Sequence, residues 1–217
     1  MQKFARVKFS RWRQELDDIS DDVGMLEQLS GCLIRLHELV GPKGSHYLRV
    51  WATRGQGQSI AMGIRRHVVM PKKDHDVTMA GLLASMIERG SCQTILAGVS
   101  VADLAQRLDC GEGEVHGQLR ARLNRDRDGL AKAGADAKIL ADRVAHLRLG
   151  NRTSPAPTVK ITQAQAAIEA LRRMVDFYQG LLFGKRARAV PSRARFIDRF
   201  GLEVEALLDG KSVEELP

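Results

Sequence analysis

Cysteine, aromatic side chains and long apolar runs are all scarce in this sequence of 217 residues. Cysteine occurs three times, and the wide spacing of Cys32, Cys92 and Cys110 fits neither a disulfide framework nor a zinc site. We expect all three to be reduced and partly buried. Aromatic residues make up 5% of the chain, which favours aliphatic packing between helices over a large β-sandwich.

Apolar runs long enough to cross a membrane are missing. No stretch reaches the 18 or more apolar residues of a transmembrane helix. The basic start, Met1 to Lys8, lacks the apolar segment that follows in a signal peptide. The sequence therefore predicts a cytoplasmic protein without a membrane partner.

Signatures of catalysis and of cofactor binding are also missing. The six histidines form no His-Glu-x-x-His motif, and neither a nucleophile elbow nor a P-loop occurs. Gly55 and Gly57 lack the third glycine and the helix start of a dinucleotide site. His75 lies between Asp74 and Asp76 in a Lys-rich loop, where solvation is the simpler interpretation. We expect no enzyme, no cofactor and no metal.

What the chain has in excess is positive charge. The formal net charge is +8, which favours a polyanionic partner. DNA is the partner that we expect, and RNA stays open.

The apolar pattern predicts a mainly α fold with one β-hairpin. A helical pattern ends at Gly41-Pro42, since proline blocks helix continuation. Alternation over 46–53 and again over 59–69 predicts two strands, joined by the glycine-containing loop 54–58. From Thr78 onward the pattern is helical again.

The domain organisation that we predict has two parts. Residues 1–150 form a helical domain that contains the hairpin (46–69). A linker over 151–161, with Pro155 and Pro157, separates it from a basic helical extension over 162–217.

The most specific signal lies in residues 100–124, which have the spacing of a helix-turn-helix. Leu104 and Leu108 would anchor the first helix, with Ala105 as the small residue at the crossing. The second helix would be anchored by Val115, Leu119 and Leu123, and its groove-facing side chains would be His116, Gln118, Arg120 and Arg122. Arginine pairs with guanine and glutamine with adenine, so these residue types suit base reading. Two ordinary packed helices are the alternative.

This stretch resembles the helix-turn-helix of winged-helix and MarR-type proteins. The resemblance rests on the Leu104-Ala105 pair, Leu108, the turn, Val115 and Leu119. Asp109 stands where that pattern prefers glycine, and Gly111 where it prefers serine. Both departures affect the turn and leave the anchors intact.

Beyond this motif, apolar residues recur every seven positions over Glu114 to about Leu149. We predict one long coiled-coil-capable helix and a homodimer along its seam. Arg125 lies outside the seam and is a further candidate for DNA contact. The alternative is a helix that packs on the N-terminal helices of its own chain. The seam residues are Leu123, Leu130, Ala137 and Val144, together with Leu119, Ala133, Leu140 and Leu147.

Two other segments could contact nucleic acid. On the first predicted strand, Arg49 and Trp51 share a face that could stack bases and neutralise phosphate, or could simply be half-buried. The C-terminal segment is either a solvated arm or a phosphate-contacting surface. Its basic residues are Lys185, Arg186, Arg188, Arg193 and Arg195.

The middle third of the chain resembles a family carried on integrative conjugative elements, some members of which are described as integrase regulators. The resemblance rests on a strand over residues 47–51 (Tyr-Leu-Arg-Val-Trp), on the Met-Gly-aliphatic step that follows it at residues 62–64 (Met-Gly-Ile), and on the long Arg-rich helix that closes the domain. It implies a regulatory or DNA-processing accessory role on a mobile element, and it implies no catalytic residue.

Two functions thus follow from the sequence. The first is sequence-selective DNA binding in the regulation of a mobile element. The second is a structural or assembly protein of a phage, a conjugation apparatus or a nucleoprotein complex, which binds nucleic acid without reading sequence. The ratio of specific to non-specific affinity distinguishes the two.

Overall fold

A computed structural model shows a mainly helical protein. It describes residues 2–40, 46–70, 77–88, 91–96, 98–146, 160–184 and 192–209. A 3₁₀ turn at Glu112–Glu114 precedes α6. The α-helices are α1 (Gln2–Val40), α2 (His46–Val68), α3 (Met79–Ile87), α4 (Ser91–Leu96), α5 (Val101–Leu108), α6 (Val115–Ala133), α7 (Ala135–His146), α8 (Ile161–Phe183) and α9 (Ser192–Leu208).

The longest helix, α1, has 39 residues and is about 58 Å long at 1.5 Å per residue. Most of its buried side chains are spaced three or four residues apart, which places them on one face. This face contains Trp12, Leu16, Ile19, Val23, Leu26, Ser30 and Leu33, and Cys32 and Val40 of the same helix are buried as well. Helices α2, α8 and α9 pack along α1, and α3 and α4 also contact it. The helix ends at Val40, immediately before Gly41-Pro42, as the sequence predicts.

Helix α8 lies inside the same core as the N-terminal helices. It packs against α1, α2, α5 and α6, and its buried residues from Ala164 to Leu182 belong to the same apolar cluster as Trp12 and Leu83. The predicted extension therefore contributes a central helix to the core. The proposed linker falls almost entirely on residues 151–159, which lie outside the described residues.

The predicted β-hairpin at 46–69 is wrong, because this stretch forms α2. Ile60, Ile64 and His67 are buried at spacings of four and three, which is the period of a helix face. Gly63 serves close helix packing, since a Cβ there would overlap Leu26 Cδ2 of α1. Gly55 and Gly57 face open space within α2 and form no turn. The structure shows no strand in any part of the chain that it describes.

The predicted single helix from Glu114 to Leu149 is interrupted at Gly134. This glycine lies against Val68 of α2, where a Cβ would overlap the valine side chain. Helix α7 then packs along α2. Residues 147–149 lie outside the described residues.

The heptad seam is buried inside the chain. Of the seam residues, Leu119, Leu123, Leu130 and Ala137 are at most 2% exposed, and Leu140 is partly buried against the same core. Helix α6 packs against α3, α5 and α8. The coiled-coil interpretation is therefore wrong as a dimer interface, because these side chains already have partners in their own subunit. The homodimer itself stays a prediction.

Candidate nucleic-acid interface

Helix α5 begins with a serine cap and ends in a left-handed turn. Ser100 Oγ accepts a hydrogen bond from the backbone N–H of Asp103 at 3.1 Å, which satisfies an amide that the first helical turn leaves open. Asp109 follows the helix with φ 53° and ψ 53°. Cys110 N–H donates to the carbonyl oxygen of Ala105 at 3.0 Å, as in a Schellman cap. Asp109 is the only non-glycine residue with positive φ among those described.

A second cap begins the 3₁₀ turn that precedes α6. Gly111 N–H donates to Glu114 Oε2 at 3.3 Å, and the short 3₁₀ turn leads directly into Val115. The turn at Asp109 thus lies between the capped helix α5 and a capped 3₁₀ turn. A Cβ at position 111 would lie 3.7 Å from Glu114 Oε2, which is an ordinary contact distance.

The anchors predicted for the two helices are buried. Leu104 and Ala105 in α5 and Val115, Leu119 and Leu123 in α6 are at most 6% exposed. Leu108 is partly buried against the same core. Because the α6 anchors are four residues apart, they direct one face of α6 inward and leave the opposite face to solvent.

The outward face of α6 has polar side chains without partners in the described chain. His116, Gln118, Arg120 and Arg125 are exposed, and no described residue forms a hydrogen bond or ion pair with any of them. Gly113 and Gly117 lie beside them with no atom within 4 Å of a would-be Cβ. A glycine within an exposed helix costs about 1 kcal/mol relative to alanine, and nothing within the described chain compensates for it at Gly117.

Arg122 occupies a different environment from its neighbours. Its Nε donates to both carboxylate oxygens of Asp126, at 3.1 and 2.8 Å. Its guanidinium carbon lies 4.0 Å from the ring centroid of Phe177 in α8, which is a cation–π contact. The structure therefore holds Arg122 against α8 rather than directing it outward with Arg120.

The carboxylate that holds Arg122 is itself buried and shared. Tyr178 Oη of α8 donates to Asp126 Oδ2 at 2.9 Å. Burial raises the pKa of the Tyr178 phenol, and the neighbouring Asp126 carboxylate raises it further. The phenol therefore stays protonated and remains a donor. This cluster joins α6 to α8 directly behind the outward face.

Acidic residues lie in the segment between α5 and α6. Asp109, Glu112 and Glu114 are all exposed, and they would oppose the approach of phosphate. Farther along the helix, Arg127 is paired with Asp128 at 3.1 Å. Within the described chain, the cations on this face that lack an acidic partner are Arg120, Arg125 and Lys132.

The other predicted contact residues are not brought to this face. Arg49 and Trp51 lie in α2, and their side chains are outside the described part of the structure, as is that of Arg193 in α9. Arg195 is exposed in α9, which packs on α1. Lys185, Arg186 and Arg188 lie outside the described residues.

One contact near the turn, between α5 and α8, was not predicted from the sequence. Arg107 Nη1 of α5 donates to the carbonyl oxygen of Leu181 at 2.6 Å, which holds α5 against the end of α8. Between these two helices is an open groove of about 560 Å³, lined in part by Gln106, Asp176 and Phe177. No local pattern indicates this contact, because the two residues are 74 positions apart.

The described residues offer neither a metal site nor a membrane span. They include no group of three or more histidine, cysteine, aspartate or glutamate side chains that could hold a metal ion. No helix among them has the length and apolar character needed to cross a membrane.

Comparison with known proteins found no family model, no curated protein and no solved structure that matches this chain.

Proposed function

We propose that the protein binds duplex DNA through α5, the turn at Asp109 and α6, with α6 as the reading helix. The supporting observation is that two features occur next to each other, one in the turn after α5 and one on α6. The backbone is left-handed at the turn position where the related pattern prefers glycine, and the helix that follows has exposed polar side chains without partners in the described chain. Two merely packed helices require neither feature.

The side chains of the outward face have separate roles in this proposal. His116, Gln118 and Arg120 lie in the first turns of α6, the part of a recognition helix that enters the major groove. Arg120 would pair with guanine and Gln118 with adenine. Arg125 lies farther along the helix and would contact phosphate. The bare backbone at Gly113 and Gly117 would allow close approach of the DNA strand.

Arg122 has a positioning role in place of base reading. Its contacts with Asp126 and Phe177 fix the rotation of α6 against α8, and this rotation determines which side chains face outward. The sequence assigned Arg122 to base contact with Arg120, and the contacts in the structure favour separating the two.

The acidic residues before α6 limit non-specific attraction. Glu112 and Glu114 would repel phosphate, so the affinity must come from α6 itself and from cations elsewhere. A carboxylate can also accept a hydrogen bond from the cytosine amino group. These two glutamates would therefore favour binding to a preferred sequence over binding to DNA in general.

The biological setting follows from the resemblance to proteins of integrative conjugative elements. It would make this protein a regulatory or accessory factor of a mobile element that acts in the cytoplasm. A homodimer would bind two half-sites, because two-fold protein symmetry is mirrored in the operator.

A second candidate is an assembly protein that binds nucleic acid without reading its sequence. The exposed apolar side chains of α9, among them Phe196 and Leu207, favour it because they suit a contact between proteins. In that case the basic residues of α6 would supply only sequence-independent attraction.

Selection from a randomised duplex library distinguishes the two candidates. For a sequence reader we expect an enriched motif and an affinity for it at least about 10³ times that for random duplex at physiological salt. An assembly protein would show no enrichment, and its affinity for every duplex would fall alike as salt rises. Failure to bind any duplex would contradict the sequence reader.

A further inference from the structure

Helix α9 packs on α1 and also has exposed apolar side chains away from that contact. Gly201 lies against Arg35 of α1, and Ile197 lies against Gly31. Phe196, Phe200 and Leu207, which we term the α9 stripe, are four and seven residues apart and so share a different face. Phe196 is 52% and Leu207 is 65% exposed.

Charges along α9 divide it into two halves. The N-terminal half contains the exposed Arg195 and Arg199, with Asp198 as an exception, and the C-terminal half contains Glu203 and Glu205. Arg199 and Glu203 lie along one flank of the stripe, where Arg199 Nε contacts Glu203 Oε1 at 3.0 Å. The helix is therefore complementary in charge to a reversed copy of itself.

One apolar pair, Phe196 and Leu207, has the same reversed symmetry. If two copies of α9 run antiparallel about a two-fold axis between positions 201 and 202, position 196 of one copy faces position 207 of the other. Position 200 then lies level with position 203, so Phe200 has the Glu203 of the second copy across from it. Phe196 therefore meets the Leu207 of a second copy, and Arg199 lies close to the acidic end of that copy. Such an interface is isologous, which is the usual form in homodimers.

We infer that the protein forms a homodimer in which the α9 stripe packs antiparallel against the stripe of a second copy. A parallel arrangement would place Arg199 beside Arg199 and Glu203 beside Glu203, and it is disfavoured for that reason. This inference does not depend on DNA binding. It also differs from the heptad seam of α6, which is buried within the subunit.

The size of the helix limits the strength of this dimer. Helix α9 has 17 residues, which gives a length of about 25 Å. One helix pair of this length buries less surface than a standard protein interface. We therefore expect a concentration-dependent dimer with a dissociation constant in the micromolar range, near 10⁻⁶ to 10⁻⁵ M as an order of magnitude.

Sedimentation velocity without nucleic acid tests the interface. The wild-type protein should change from monomer to dimer between about 1 and 200 µM. Leu207→Glu should raise the dissociation constant at least about tenfold, because it places a charge in the stripe. Met62→Glu is the matched control: Met62 is 55% exposed in α2, and its replacement should leave the dimer unchanged.

Charge reversal tests the orientation. Glu203→Arg should weaken the dimer, and the double variant Arg199→Glu, Glu203→Arg should restore it, because opposite charges again meet across the axis. A wild-type protein that stays monomeric over this range would overturn the inference. A dimer that tolerates Leu207→Glu, or that Met62→Glu also dissociates, would overturn it as well.

Discussion

His67 is a buried histidine whose environment disfavours the charged form. Its side chain is 1% exposed, its Nε2 lies 3.5 Å from Asp22 Oδ2, and no described group bonds to its Nδ1. Burial lowers the pKa of His67 to about 4; Asp22 partly offsets this effect, and Arg66 adds to it. The imidazole is therefore neutral at physiological pH.

This histidine should make folding sensitive to mild acid. The unfolded chain takes up a proton near pH 6.5, whereas the folded chain does so near pH 4. Between these values the unfolded state binds more protons, so stability falls as the pH falls. The difference corresponds to roughly 3 kcal/mol, at about 1.4 kcal/mol per pKa unit.

Urea unfolding at several pH values measures the effect. The free energy of unfolding of the wild-type protein should fall as the pH is lowered from about 6.5 to about 4. Below that range the contribution of His67 should no longer change. In His67→Leu the drop should be smaller by the contribution of the histidine. Parallel curves for the two proteins would show that His67 does not titrate in this way.

The roles of single residues were only partly predictable. The spacing of Val115, Leu119 and Leu123 placed the buried face of α6 correctly, because helix periodicity is a local property. The same spacing could not show that Arg122 is held against α8 while Arg120 is exposed. The difference depends on Phe177 and Tyr178, more than 50 residues away in the chain.

Among the helices, α2 shows how an apolar pattern can be misread. Its glycines at positions 55 and 57 resemble turn signals between two apolar stretches. The spacing of Ile60, Ile64 and His67 does contain the helical period, but short apolar runs fit both periods. Contact with α1 decides in favour of the helix, since Gly63 allows Leu26 to pack closely.

The turn after α5 offers a test at the level of one element. Asp109 has a left-handed backbone, which costs a residue with a Cβ about 1 kcal/mol or more, though less for aspartate than for most. Asp109→Gly should therefore keep the free energy of unfolding or raise it by up to about 1 kcal/mol. Asp109→Val should lower it by about 1–2 kcal/mol, because a β-branched side chain is poorly tolerated there.

Chemical denaturation of the two variants measures this difference, and Asp103→Gly is the matched control. Asp103 is an exposed aspartate like Asp109, but it lies in the first turn of α5. Its replacement by glycine should destabilise the protein, because glycine is unfavourable within a helix. Equal effects of Asp109→Gly and Asp103→Gly would contradict a left-handed turn.

For the molecule as a whole, the sequence predicted the helical class but not the central position of α8. Arg172 of α8 contacts Glu27 and Ser20 of α1 at 2.9 and 3.2 Å. These partners are 145 and 152 residues away in the chain. The prolines near position 155 are a local pattern that indicates a domain boundary. The packing of α8 on α1 joins residues far apart in the sequence, so no local pattern indicates it.

The central claim is that the outward face of α6 reads bases, and Arg120 tests it most directly. The measurement compares the affinity of wild-type protein and Arg120→Ala for the selected duplex and for random duplex at one salt concentration. The matched control is Arg173→Ala, which removes an exposed arginine from α8. We predict a loss of about 1–3 kcal/mol on the selected duplex for Arg120→Ala and a much smaller loss on random DNA. Equal losses on both duplexes, or an equal loss from Arg173→Ala, would contradict the account.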